Sequence, residues 1–211
     1  MNIHTFIFNP YQVNTYIVWD DTKNCLIIDA GNYSDYENQK IVEFIDKNQL
    51  IPIGIVLTHA HIDHILGCRF LKDHFKINLI THPKAKSFID NARAYGQMLG
   101  LEIEEAFQPD KFIEENQSIN FGNTNFKVFY TPGHVDGSIC LYNKDNNVIF
   151  TGDVLFAGSI GRTDLPTGNF ENLISNIKNK ILTLPSETIV YPGHGETTTI
   201  KEEIENNPFL S

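Results

Sequence analysis

Thr58-His59-Ala60-His61-Ile62-Asp63-His64-Ile65-Leu66-Gly67 follows directly on the apolar run Ile53-Gly54-Ile55-Val56-Leu57. That run is short, β-branched and preceded by Pro52, which predicts a buried strand. Alternate side chains of an extended backbone share a face, so His59 and His61 can converge on one point. Asp63 and His64 open a segment of helical spacing (Ile65, Leu66, Phe70, Leu71) that runs to about His74, and the turn there can aim both at a neighbouring spot. Four nitrogen and oxygen donors at a strand end suit a borderline transition metal, with zinc, iron and manganese the fitting ions. The bland alternative is a chance cluster of surface histidines. The chain has only 8 histidines in 211 residues, which weighs against it.

Upstream, apolar and polar residues alternate in short bursts, Ile3 to Phe8, Val13 to Trp19 and Leu26 to Asp29, punctuated by Asn9-Pro10, Asp20-Asp21 and Ala30-Gly31. This predicts an antiparallel meander. Ser34 with Glu37 has capping-box spacing, and Ile41, Val42, Phe44 and Ile45 continue a helical stripe to about Asn48. Downstream, Asn78 to Thr81 reads as a strand and His82-Pro83 as the start of a helix or turn. Residues 91–108 read either as helices or as a flap over the site. Strands follow at Ile119 and Phe121, Phe126 to Tyr130, Ile139 and Leu141, and Val148 to Phe150, with turns at Gly122-Asn123 and Asp145-Asn146-Asn147. Asn169 to Leu184 has helical spacing, Thr188 to Tyr191 is a last strand and Thr199 to Asn206 a last helix. Two halves of this kind predict an α/β (α+β) chain with two sheets face to face and helices outside.

Three later segments repeat one form, an apolar strand, then a glycine, then one metal-competent side chain. They are Val128 to His134, Val148 to Asp153 and Ile189 to His194. The glycine lets the backbone bend so that the next side chain sits at the strand end. Taken singly, Asp153 could cap a turn, and His134 or His194 could be a hydrogen-bonded loop histidine. Taken together with the first cluster, they make a set of candidate ligands drawn from four strand ends: His59, His61, Asp63, His64, His134, Asp153 and His194.

With 41% hydrophobic residues the chain can bury a full core, and one domain over 1–211 is the expectation. No apolar run approaches the roughly 18 residues a membrane span needs. Met1 to Asp20 lacks a basic leader, so a cytoplasmic location is expected. Cys25, Cys68 and Cys140 are odd in number and widely spaced, which fits small buried side chains in a reducing interior. The formal net charge of -10 argues against a nucleic-acid partner, and the expected partner is a small-molecule substrate. His4 is expected on an exposed strand face, His74 at a helix C-terminus and His82 in a turn.

These segments together resemble the metallo-β-lactamase-fold hydrolases, and among them the small glyoxalase II-like (hydroxyacylglutathione hydrolase-like) proteins. The resemblance spans Asn14-Thr15-Tyr16, Ile28 to Gly31, Thr58 to Gly67, Thr131 to Ser138, Thr151-Gly152-Asp153, Gly158 to Asp164, Tyr191 to Thr198 and Asn207 to Leu210. Leu66 stands where many members have glycine, and Asp136 falls where proline is frequent, neither being a ligand position. The resemblance implies a four-layer αββα sandwich without the C-terminal helical substrate domain of full-length glyoxalase II. It implies two divalent metal ions, zinc foremost and iron or manganese as alternatives. His59, His61 and His134 would bind one, Asp63, His64 and His194 the other, and Asp153 would bridge them. The implied activity is cleavage of a thioester of a 2-hydroxy acid, S-lactoylglutathione-like, by a hydroxide held between the ions, which Asp63 could also orient. Arg162 and Asp164 should lie at the pocket mouth, where the arginine either meets a substrate carboxylate or pairs with Asp164.

The alternative on the same fold is a persulfide dioxygenase with a single ferrous iron, against which the Pro192-Gly193-His194-Gly195-Glu196-Thr197-Thr198-Thr199 ending favours the hydrolase. A β-lactamase fits less well, because one major class with a three-histidine site uses cysteine where Asp153 stands. A nuclease is disfavoured by the acidic charge.

Overall fold

A computed structural model describes residues 1–101, 103 and 107–210. Two six-stranded sheets organise it. The first runs in the order β1 (Asn2–Phe8), β2 (Val13–Trp19), β3 (Asn24–Ile28), β4 (Ile51–Val56), β5 (Asn78–Thr81) and β6 (Lys111–Phe112). As expected, β1 to β3 form an antiparallel meander. From β3 on, the neighbours are parallel; the helix α1 (Asp35–Lys47) supplies the crossover from β3 to β4, and α2 (Ile62–Ile65) with α3 (Cys68–Phe75) that from β4 to β5. The second sheet is built from β7 (Ser118–Phe121), β8 (Thr124–Tyr130), β9 (Ile139–Asn143), β10 (Val148–Gly152), β13 (Ile189–Pro192) and β14 (Thr198–Thr199), in the order β14-β13-β10-β9-β8-β7. Between them in sequence lies a small hairpin, β11 (Leu155–Phe156) and β12 (Ser159–Ile160).

Period-two alternation explains why strands buried on both faces still sort into layers. In β2 and β3, Tyr16, Val18, Leu26 and Ile28 point into the space between the sheets, where they meet Phe126, Val128, Ile139, Leu141 and Phe150. The intervening Ile17 and Ile27 point the other way, onto Ile41 and Ile45 of α1 and Cys68 and Leu71 of α3. On the second sheet, Cys140, Tyr142, Ile149 and Val190 face Leu173 of α6 (Phe170–Asn176) and Ile200 of α7 (Ile200–Asn206). Three apolar layers therefore separate four structural ones, the αββα arrangement.

Local chemistry accounts for the helix starts. Ser34 and Glu37 close a reciprocal capping box on α1, and Asn169 and Thr199 cap α6 and α7 with their side chains. Two helices depart from the sequence pattern. The helix expected from Asp63 to His74 is broken at Gly67, which caps α3 and lies so close to Asn32 that a Cβ there would fall 2.0 Å from its Oδ1. The helix expected over 169–184 ends as α-helix at Asn176 and continues as a π-helical stretch, Ile177–Ile181.

His4 is half-buried rather than exposed, because its ring stacks on Phe44 of α1 at 4.1 Å. His82 caps the short turn Pro83–Ala85, and His74 sits in the last turn of α3. All three cysteines are buried and unpaired. Helix α4 (Lys86–Asp90) precedes the segment read as helices or a flap, α5 (Ala92–Met98) covers its beginning, and residues 102 and 104–106 lie outside the described residues. Among the described residues, no helix is long and apolar enough to cross a membrane.

Candidate metal centre

Four chain segments leave their strands at one rim of the sandwich, and each carries donors. After β4 the chain places Thr58, His59 and His61, and α2 follows at once with Asp63 and His64. The turns after β8, β10 and β13 bring His134, Asp153 and His194. All seven candidate ligands meet. His59, His61 and His134 form one group, His59, His64 and Asp153 a second, and Asp63, His64 and His194 a third, with donor atoms in each within 4.8 Å of one another. Asp153 lies between the histidines, with His64 Nε2 3.4 Å from Oδ1, and His194 Nε2 and His134 Nε2 at 3.6 and 3.7 Å from Oδ2. His194 Nε2 approaches Asp63 Oδ2 at 3.1 Å.

Glycines permit this density. A Cβ at Gly193 would sit 2.1 Å from Asp153 Oδ1 and 2.8 Å from His64 Cε1. Gly152, with φ of +49°, would meet Thr58 Oγ1 at 2.2 Å.

Partners outside the cluster decide which ring atoms face inward. His134 Nδ1 donates to the carbonyl of Arg162 at 2.7 Å, so its Nε2 carries the lone pair and faces His61 Nδ1 at 2.8 Å. His64 Nδ1 lies 3.0 Å from Asp29 Oδ2, which leaves Nε2 for the site. Asp29 also accepts from Thr58, from the amide at 2.7 Å and from the hydroxyl at 2.6 Å, and so ties the end of β4 to α2. His194 Nδ1 faces the carbonyl of Gln12 at 3.3 Å. The His194 turn is held across the two sheets by Asn14, whose amide donates to the carbonyls of Pro192 and Gly195, both at 3.0 Å, and by the Tyr16 hydroxyl on Pro192. Asp29, Asn14 and Tyr16 lie in segments whose motifs are visible in the sequence, but their supporting role is not. Their partners are 29 to 181 residues away, and spacing alone cannot show such contacts.

Burial sets the protonation pattern. His59 and His134 are pushed below the ordinary imidazole range by desolvation, and His61 falls to about 3 for the same reason, so all three offer lone pairs. His64 is desolvated too, but Asp63, Asp153 and Asp29 surround it and lift it well above that range. Burial raises the carboxyls of Asp63 and Asp153, and the histidines beside them more than offset this and hold both below the usual carboxylate range. The result is a buried, charge-dense knot in which His59 Nε2, His64 Nε2 and Asp153 Oδ1 have no hydrogen-bond partner. Such donor atoms, facing one another across a few ångströms, make a cluster able to bind metal ions.

The model of the metallo-beta-lactamase superfamily matches residues 8–194. The chain belongs to that superfamily. Across the whole chain it is 39% identical, over 213 residues covering 99% of the relative, to hydroxyacylglutathione hydrolase GloC of Haemophilus influenzae. Among solved structures it is similar to the B3 metallo-beta-lactamase BLEG-1, with a TM-score of 0.92, 39% identity and full coverage of both chains. It is similar also to TTHA1623, solved in a di-iron-bound form, with a TM-score of 0.89 and 34% identity over 98% of this chain and 100% of that one. A metal-dependent hydrolase of this superfamily is what these relatives and the cluster jointly indicate.

Arg162 and Asp164 stand beside this superfamily centre but outside the donor cluster. They form a two-pronged pair with each other, Nε to Oδ1 and Nη2 to Oδ2, both at 2.7 Å, and both side chains are exposed. The carbonyl of Arg162, rather than its guanidinium, touches the donor cluster.

Proposed function

We propose that this chain is a binuclear metal-dependent hydrolase that cleaves a thioester of a 2-hydroxy acid, of the S-lactoylglutathione type. The observation that carries the reading is the trio of buried, unpartnered donor atoms, His59 Nε2, His64 Nε2 and Asp153 Oδ1. In a metal-free protein each such atom costs about 1–3 kcal/mol, and cations among them satisfy all three. His59, His61 and His134 would hold one ion, Asp63, His64 and His194 the second, and Asp153 both. Bound there, two divalent ions supply Lewis acidity toward a carbonyl oxygen and bring the pKa of water to about neutral.

The chain's own residues do the rest. Asp63, held ionised by the histidines beside it, would orient the attacking water. The carbonyl of Arg162 keeps His134 in the tautomer whose Nε2 faces the site. His59, His61 and His134 are acceptors with depressed pKa values, so they offer no ready proton to a leaving group. A thioester suits such a site, since its thiolate departs with little acid assistance. A substrate carboxylate reaching Arg162 would either displace Asp164 or take the Nη1 that the pair leaves unused. The GloC relative supports the thioester assignment, and the likeness to BLEG-1 gives a second reading, opening of a β-lactam ring by the same donors.

Metal analysis of protein purified without chelator, followed by turnover on S-lactoylglutathione, a thioester lacking the hydroxyl, a chromogenic cephalosporin and glutathione persulfide, tests the assignment. Thioester cleavage that chelation abolishes and zinc, iron or manganese restores is the expected result. Oxygen uptake on the persulfide without thioester cleavage would overturn it, and cephalosporin turnover alone would favour the second reading.

A further inference from the structure

Helix α7 inverts the usual order of burial. Its Glu203 is 1% exposed while the neighbouring Ile204 is 53% exposed. A buried carboxylate persists where donors satisfy it, and donors meet both oxygens here. The Gly158 amide lies 3.2 and 3.0 Å from the two oxygens, the Thr198 hydroxyl donates to Oε1 at 2.6 Å, and the Asn207 amide donates to Oε2 at 2.6 Å. Asn207, also buried, donates from the same nitrogen to the carbonyl of Ser159 at 3.1 Å.

Gly158 lies at the tip of the β11–β12 hairpin and Ser159 opens its second strand, and the hairpin joins Asp153 to Arg162 in the chain. Phe156, on its first strand, lies 6.3 Å from the ring of His194. Past its second strand, Gly161 packs so tightly on Asp153 that a Cβ would fall 1.9 Å from the Asp153 carbonyl. The next residue presents the carbonyl that accepts from His134 Nδ1. The hairpin and the two residues after it thus touch Asp153, His134 and His194, and the hairpin is pinned by two side chains of the C-terminal segment.

We propose that Glu203, assisted by Asn207, is a positioning residue for the metal centre. By clamping the hairpin tip it holds the Arg162 carbonyl on His134 and the Phe156 ring beside His194, without touching either ligand. The inference rests on the binuclear reading above. In Glu203→Gln the amide oxygen can keep Asn207 only if the NH2 turns to Thr198, whose hydroxyl must then accept where it donated, and the negative charge that strengthens every donor contact here is lost. Asn207 cannot simply turn over, because its Oδ1 accepts from the Phe209 amide at 3.0 Å.

The test compares wild type, E203Q, N207A and the exposed control E205Q, all as full-length chains. Zinc is titrated against a chromogenic chelator, and thermal melting is measured alongside. Loss of a direct outer contact to a metal ligand typically weakens metal binding 10- to 100-fold, and Glu203 acts one contact further out, so E203Q should raise the zinc dissociation constant by at most about tenfold. N207A, which leaves the Gly158 contact in place, should give a smaller rise, and E205Q none. If E203Q does not fold, N207A alone decides. Folded variants that melt earlier yet bind zinc as wild type does would overturn the proposal and leave Glu203 a purely structural clamp. A wild-type chain that binds no zinc, iron or manganese would instead refute the binuclear reading, and the inference with it.

Discussion

Asp29→Asn is the substitution that most directly probes how the centre is held. Asp29 is not itself a candidate ligand but accepts from three groups, the Thr58 amide, the Thr58 hydroxyl and Nδ1 of the candidate ligand His64. Its φ is +55°, a conformation that asparagine tolerates better than most residues, so the amide isostere leaves the backbone unstrained where alanine would not. The substituted amide keeps one oxygen, which the Thr58 amide can retain. Its NH2 then faces the Thr58 hydroxyl and His64 Nδ1, and the charged partner of His64 is gone. A hydrogen bond to a charged group contributes about 1.5–3 kcal/mol. At about 1.4 kcal/mol per tenfold change, that converts to a roughly 10- to 100-fold weaker hold on the ion that His64 would bind. The two numbers agree with the usual effect of losing a histidine's outer carboxylate. Chelator competition on wild type and D29N, with a melt to confirm folding, measures it. A D29N protein that folds and binds both ions with wild-type affinity would show that His64 needs no orienting carboxylate, and the reasoning would fail.

Other perturbations separate the layers of the argument. Gly193→Ala drives a methyl group into Asp153 Oδ1 and His64 Cε1 and should empty the centre while the far-ultraviolet circular dichroism stays unchanged; metal retained at wild-type stoichiometry would refute the packing argument. Asn14→Ala removes two cross-sheet hydrogen bonds from the His194 turn and should cost about 1–3 kcal/mol in urea melts, because the Gly195 carbonyl loses the Asn14 amide while the Pro192 carbonyl keeps only the Tyr16 hydroxyl. Burial raises the Asp20 carboxyl, but Thr22, Asn123 and Thr124 donate to it and hold it below the ordinary value. A carboxyl lowered in the folded state stabilises above its unfolded pKa and loses that contribution as pH falls through the folded one. Stability of wild type should therefore drop below about pH 4, and D20N should show a shallower acid slope; parallel slopes would contradict it.

Much of the centre is legible in the sequence, because the donors follow strand ends, with Asp63 and His64 on the short helix α2 just after β4. His59 and His61 are two apart on extended chain, and the glycine before His134, Asp153 and His194 marks each turn. What governs the site from outside is not legible. Asp29, Asn14 and Glu203 look like ordinary polar residues, and only tertiary pairing puts them under His64, the His194 turn and the β11–β12 hairpin. Helix ends follow the same division. Ser34 and Glu37 announce their cap, whereas the break at Gly67 depends on Asn32 and the π stretch at 177–181 on packing against the second sheet, so a continuous apolar period hides both.

The division has a physical cause that bears on how such a centre holds together. Like-charged ligands repel and buried donors want partners, so the seven side chains would spread apart if the rim were soft. Three of the histidines are instead fixed from behind by contacts that reach across the fold: His64 by a residue after β3, His134 by the carbonyl beyond β12, His194 by the turn before β2. The two sheets close on one another at that rim because Asn14 of the first binds the last turn of the second. Folding energy from three apolar layers thus holds the donors at distances they would not choose alone, and cations placed among them would relieve the repulsion that the fold imposes.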